Sequence, residues 1–155
     1  MSVDLMSLEE TTKFATAVGQ VLHGGEVIEL IGDVGSGKTT FTKGLALGLG
    51  VEDDVQSPSF TISRVYDARD GLRLVHYDFY RLSDPGIMNH DIAEAIADPQ
   101  AVVVVEWGGT VNGVLPTDRT VISLEYDEAN TNSRRVTIQS KVTEIGEVYA
   151  AWNTD

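Results

Sequence analysis

The sequence predicts an α/β fold, a three-layer mixed sheet with an antiparallel hairpin and helices on both faces. Three observations lead there. A short, mostly apolar segment at 27–31 runs into a glycine-rich loop, and a helical stretch follows at 38–49. The run Ala101-Val102-Val103-Val104-Val105 is continuous and β-branched, the pattern of a parallel strand covered on both faces. Two strand-like segments, 60–66 and 72–77, flank Asp70-Gly71, a dipeptide suited to a tight hairpin turn.

Each element has a local reason. Ser7-Leu8-Glu9-Glu10 has capping-box spacing, with Ser7 as N-cap and Glu10 reaching back. Leu8, Ala15, Val18 and Leu22 then share one helical face, joined by Phe14 and Val21, and Gly24-Gly25 ends the helix. A short helix is expected at 87–96, bracketed by Asp84-Pro85-Gly86 and Asp98-Pro99. Segments 119–125 and 134–139 alternate like outer strands. The division expected is one domain at 1–140, followed by a segment at 141–155 whose structure the sequence leaves open.

Composition excludes several classes. The chain has 155 residues, 42% of them hydrophobic, which suits one globular core. It has no cysteine, so disulfide scaffolds and thiolate metal sites are out. The longest purely apolar run, 101–105, falls far short of the ~20 residues that span a bilayer. Asp4, Glu9 and Glu10 near the start do not read as a signal peptide, so a cytoplasmic protein with no membrane contact is expected. The formal net charge of -13 repels phosphate backbones, so direct, tight nucleic-acid binding is not expected. That charge either serves solubility or faces a basic partner.

Gly32-Asp33-Val34-Gly35-Ser36-Gly37-Lys38-Thr39 fills every fixed position of G-x-x-x-x-G-K-[ST], in strand–loop–helix context. Glycines let backbone N–H groups wrap a phosphate, and the helix that follows adds its positive N-terminal end. Lys38 suits the β- and γ-phosphates, and the Thr39 hydroxyl suits Mg²⁺. The fold class sharpens to a P-loop NTPase type. No Asp is followed three positions later by Gly, and no Asn by Lys, which favours ATP over GTP.

A metal needs further oxygen ligands. Glu106 follows the valine run in a Walker-B-like position, and Asp78 closes Leu74-Val75-His76-Tyr77-Asp78. Either carboxylate could hold Mg²⁺ or orient the attacking water. His76 alternates with Asp78 and shares its face, as a structural or a catalytic histidine. Trp107 suits a core position or a site contact equally. Ser57-Pro58-Ser59 suits a γ-phosphate-sensing switch or a plain turn.

Four segments together resemble the TsaE (YjeE) family, the small ATPases of bacterial tRNA threonylcarbamoyladenosine synthesis. They are residues 32–41 with the P-loop, Ser57-Pro58-Ser59-Phe60, His76-Tyr77-Asp78-Phe79-Tyr80-Arg81-Leu82, and Val105-Glu106-Trp107. The resemblance implies Mg-dependent ATP hydrolysis beside the TsaD and TsaB proteins, which modify adenosine 37 of certain tRNAs. It implies contact with tRNA only through that complex, and slow turnover by the chain alone. By matched position, residues 32–40 and Lys38 would bind phosphate. Thr39, Asp78 and Glu106 would serve metal and hydrolysis, with Ser57, Pro58 and Ser59 in a switch-like segment. Glu10 and Thr11 match a family pair near the nucleotide. His76, Arg81 and Trp107 would lie beside the site, and Arg81 or Arg134 would be candidates for an arginine supplied by this chain. The sequence departs at Ser59, where the family usually has Thr, and at Gly108-Gly109, a looser turn than the family's. A small-molecule kinase and a non-catalytic ATP-controlled module are the competing readings.

Overall fold

The computed structural model describes residues 1–58, 62–80, 82, 86–111 and 113–154, so the expectations for Ser59 and Arg81 lie outside the described residues. In chain order the elements are β1 (Ser2–Leu5), α1 (Leu8–Gln20), β2 (Val27–Ile31), α2 (Lys38–Gly48), β3 (Ser63–Asp67), β4 (Arg73–Asp78), α3 (Gly86–Ala97), β5 (Ala101–Glu106), β6 (Thr120–Asp127), β7 (Asn130–Gln139) and α4 (Thr143–Trp152). The strands form one sheet in the order β1-β7-β6-β2-β5-β4-β3. Strand β2 pairs in parallel with both β5 and β6, and β5 pairs in parallel with β4. The pairs β3–β4, β6–β7 and β7–β1 are antiparallel.

Side-chain alternation sorts the strands onto two cores. Ile28, Leu30, Val104 and Ile122 point to the face covered by Phe14 of α1, Phe41 and Leu45 of α2, and Ile145 of α4. Val27, Val103, Val105 and Tyr77 point to the other face, with Ile92 of α3. The three layers expected from the sequence are present, and all six residues of β5 are buried.

Helix α1 starts at its predicted cap. The Glu10 N–H donates to Ser7 Oγ at 3.1 Å. The Glu10 carboxylate reaches back one residue further than expected, accepting from the Met6 N–H at 2.7 Å. Helices α1 and α2 meet backbone to backbone. A Cβ on Gly48 would lie 2.1 Å from the Thr16 carbonyl oxygen, and one on Gly19 would lie 2.3 Å from that of Leu45. The hairpin turns where predicted, with positive φ at Asp70 (57°) and Gly71 (75°) and Leu72 N–H donating to the Arg69 carbonyl at 2.9 Å. The Arg69 guanidinium extends from this turn onto the carbonyls of Gly19, Gly48, Gln20 and Leu22, which close the last turns of α1 and α2.

Three features differ from the sequence expectation or fill what it left open. Strands β6 and β7 are not outer strands, because β6 pairs with β2 and β7 is covered by β1. Strand β1 is four residues long, too short to give a periodic signal of its own. The segment after Ser140 includes α4, whose Trp152 ring meets Phe14 edge-on at 5.4 Å. No helix among the described residues is long and apolar enough to cross a membrane.

Candidate nucleotide site

The parallel register brings the chemistry to one edge of the sheet. The loop at 32–37 leaves the C-terminal end of β2, where ligands of open α/β sheets gather. Asp78 and Glu106, the last residues of β4 and β5, stand opposite one another.

The loop is shaped by two left-handed glycines, Gly35 (φ 84°) and Gly37 (φ 102°), which an L side chain would strain. A Cβ on Gly35 would meet nothing within 4 Å, so the demand for glycine there is conformational rather than steric. Ser36 is buried, and its carbonyl accepts a 2.7 Å hydrogen bond from Arg134 Nε. The Arg134 guanidinium also donates to the carbonyls of Thr131 and Ser133. Strand β7 thereby braces the loop through Arg134.

Lys38 is 7% exposed, with its ammonium on the Gly32 carbonyl and 3.8 Å from the centre of the Trp107 ring. Burial pushes this ammonium below the ordinary lysine value, against the opposing pull of Glu106, Asp78 and Asp33. Trp107 has φ 58°, a left-handed conformation that costs a non-glycine residue about 1–3 kcal/mol. It packs on Tyr80, ring centres 4.9 Å apart, and turns its face to Lys38.

The two carboxylates sit in different surroundings. Asp78 is half-buried, accepting from Ser57 Oγ at 3.1 Å and from the Tyr80 N–H at 3.0 Å. Glu106 is 3% exposed, with its Oε2 2.6 Å from His76 Nε2.

These groups surround a cleft of about 410 Å³. It is lined by Val34, Gly35, Gly37, Lys38, Thr39 and Thr40 from the loop and α2, and by Ser57, Asp78, Glu106 and Trp107 across from them. Gly32 and Asp33 instead line an adjoining cavity of about 330 Å³, which shares Lys38 and Trp107. His76, Pro58, Glu10 and Thr11 do not line the cleft. His76 lies behind Glu106, Pro58 is buried, the Glu10 carboxylate is engaged by Met6, and Thr11 is buried in α1.

Several lining residues escape sequence reasoning. Leu8 belongs by periodicity to the packed face of α1, yet it is exposed and lines the cleft. Tyr80 also lines it, and so does Arg134, which the sequence offered as a candidate arginine. In the adjoining cavity Glu29, mid-strand in β2 and buried, bonds Arg119 Nε at 2.9 Å. A Cβ on Gly108 would lie 2.7 Å from Glu29 Oε2, which explains the small residue after Trp107. The one available signal was an acidic residue interrupting the apolar strand Val27-Ile28-Glu29-Leu30-Ile31.

A strand, a glycine loop, a lysine at the first turn of a helix, and carboxylates closing the neighbouring strands define a P-loop nucleotide-binding protein. The family model described as "Threonylcarbamoyl adenosine biosynthesis protein TsaE" matches residues 5–136. The chain belongs to the TsaE family. It is 41% identical over 118 residues to the tRNA threonylcarbamoyladenosine biosynthesis protein TsaE of Treponema pallidum, covering 76% of this chain and 86% of that one. It is 38% identical over 143 residues to the protein of the same name from Bacillus subtilis, covering 91% and 84%. The crystal structure of Bacillus subtilis YdiB superimposes with a TM-score of 0.74 at 30% identity, covering 99% of this chain and 94% of that one.

Proposed function

We propose that this chain is the ATP-binding and ATP-hydrolysing subunit that acts with TsaD and TsaB in the threonylcarbamoyl modification of tRNA adenosine 37, in the cytoplasm. The reading rests on one observation, the single cleft that the P-loop, Asp78 and Glu106 share. The relatives' names supply the pathway. The ATPase unit spans residues 1–140, and α4 packs onto it through Ile145 and Trp152.

The donor set fits Mg²⁺, which takes few protein ligands and completes its shell with phosphates and water. Among the described residues no three His, Cys, Asp or Glu side chains converge, so no all-protein metal cage competes with that mode. Thr39, Asp78 and Glu106 would hold the ion, which would supply neutralising charge for the phosphates. The loop amides bind the phosphates, and Lys38 exchanges the Gly32 carbonyl and the Trp107 face for phosphate oxygen. Ser57 and the Tyr80 N–H hold Asp78 in place. Glu106 orients a water molecule in line with the γ-phosphate and accepts its proton. The new P–O bond forms as the bond to the β-phosphate oxygen breaks, releasing ADP and phosphate.

The test is phosphate release from Mg-ATP by the purified chain, with and without a TsaD–TsaB pair from the same source, beside a Lys38→Ala control. A slow basal rate, stimulated by the pair and absent in the control, is expected. A phosphorylated metabolite in place of free phosphate would establish a kinase instead. An Glu106→Gln variant that supports full pathway activity would establish a non-catalytic module.

A further inference from the structure

We infer that His76 is a positioning residue for Glu106, holding its carboxylate toward the attacking water and away from Lys38. The inference rests on the hydrolytic reading above. Its geometry starts in the sheet register. On the parallel strands β4 and β5, Asp78 stands opposite Glu106 and His76 opposite Val104. His76 is therefore the diagonal neighbour of Glu106 on the same face, close enough for two long side chains to meet. They do so at 2.6 Å, with the His76 side chain 0% and the Glu106 side chain 4% exposed.

The ring's other nitrogen identifies what the histidine is for. His76 Nδ1 is buried and has no hydrogen-bond partner among the described residues. A histidine kept for core structure ordinarily satisfies both nitrogens. Here the ring's polar contact goes entirely to one carboxylate oxygen. A bare Nδ1 also selects the tautomer, because the proton belongs on Nε2, where an acceptor waits. His76 Nε2–H thus donates to Glu106 Oε2, on a residue that also lines the cleft.

Lys38 supplies the reason such a donor is needed. Glu106 is the largest of the charges that favour the Lys38 ammonium. A buried carboxylate without its own donor turns toward the nearest cation, and Lys38 would then be paired where phosphate must bind. His76 engages the carboxylate through its ring nitrogen and leaves the ammonium to the nucleotide. Partners that orient a functional side chain act in this way without touching the substrate.

The experiment compares wild type, His76→Leu, His76→Gln, Glu106→Gln and the His76→Leu/Glu106→Gln double variant, each with the partner pair present. His76→Leu should lower kcat about 10- to 100-fold, the usual cost of losing an orienting partner. Its KM, and its Kd for a fluorescent ATP analogue read without turnover, should stay within about threefold of wild type. Gln restores an N–H donor and should recover most of the rate. The double variant should be no slower than Glu106→Gln alone, because His76 acts through Glu106. The inference is overturned by a His76→Leu kcat within about twofold of wild type, by multiplicative losses in the double variant, or by a KM that rises in step with the loss. A two-bond ¹H–¹⁵N spectrum reads the pair without hydrolysis. It should show a proton on Nε2 and a shift of that signal in Glu106→Gln, and an Nε2 that carries no proton overturns the inference. If Glu106→Gln hydrolyses ATP like wild type, the hydrolytic reading fails, while the spectrum still decides the pair.

Discussion

Removing the Arg69 guanidinium should destabilise the fold while leaving nucleotide affinity unchanged. Nη1 donates to the Gly48 carbonyl at 2.6 Å and to Gly19 at 3.2 Å, and Nη2 donates to Leu22 at 2.7 Å and Gln20 at 3.1 Å. A helix C-terminus has carbonyls without intrahelical partners and carries partial negative charge, so one cation here serves two helices at once. A hydrogen bond to a charged group contributes about 1.5–3 kcal/mol when well buried. Two of the four contacts are short, and the Arg69 side chain is 29% exposed, so water takes back part of the loss. Arg69→Ala should therefore cost about 3 kcal/mol. In a domain of this size that lowers Tm by about 6–12 °C. Urea denaturation followed by Trp fluorescence should show a lower midpoint at unchanged m. Arg69→Lys should recover less than half, because an ammonium lacks the planar fork that spans both helix ends. Helix α2 separates Gly48 from Lys38 by about 15 Å, so ATP affinity of the folded variant should equal wild type. A loss below about 0.5 kcal/mol would refute the reasoning and make the four contacts incidental.

Gly108→Ala places a methyl 2.7 Å from Glu29 Oε2 and 3.1 Å from Leu115 Cδ1, whereas a Cβ on Gly109 meets nothing within 4 Å. Gly108→Ala should cost about 1–3 kcal/mol by overpacking and displace Trp107, read as lower turnover and altered Trp fluorescence, while Gly109→Ala should change neither. Tyr77 donates to Asp91 Oδ2 at 2.7 Å, and burial first, then Asp91, raises its phenol well above the ordinary 10. A raised folded value means the phenol's contribution is complete below pH 10 and is lost as pH climbs from 10 through the folded value. Tyr77→Phe should lose about 1 kcal/mol near neutrality and fall off less steeply than wild type above pH 10 in pH-resolved melts. Arg134→Ala removes the hydrogen bond to the Ser36 carbonyl and should loosen the P-loop, weakening binding of a fluorescent ATP analogue. Unchanged affinity there would separate the Arg134–Ser36 contact from nucleotide binding.

Much of this protein was determined by the sequence alone, because the relevant physics is local. Strand–loop–helix at the P-loop, the Ser7 cap, the Asp70-Gly71 turn and the valine strand each follow from residues within about one helical turn or one hairpin of each other. That Asp78 and Glu106 close strands was legible for the same reason. The tertiary structure decided what long-range pairing decides. Sheet order covered β7 with β1 and placed β6 inside the sheet. Register set His76 behind Glu106, 30 residues away, and separated two carboxylates that periodicity left equivalent. Chain return brought Arg134 to Ser36 across 98 residues and Arg119 to Glu29 across 90. Helix α4 has no side-chain N-cap, and its signal is tertiary, an aromatic edge against Phe14. Contacts of this kind close only when the sheet has been ordered, and no local pattern encodes which strands will become neighbours.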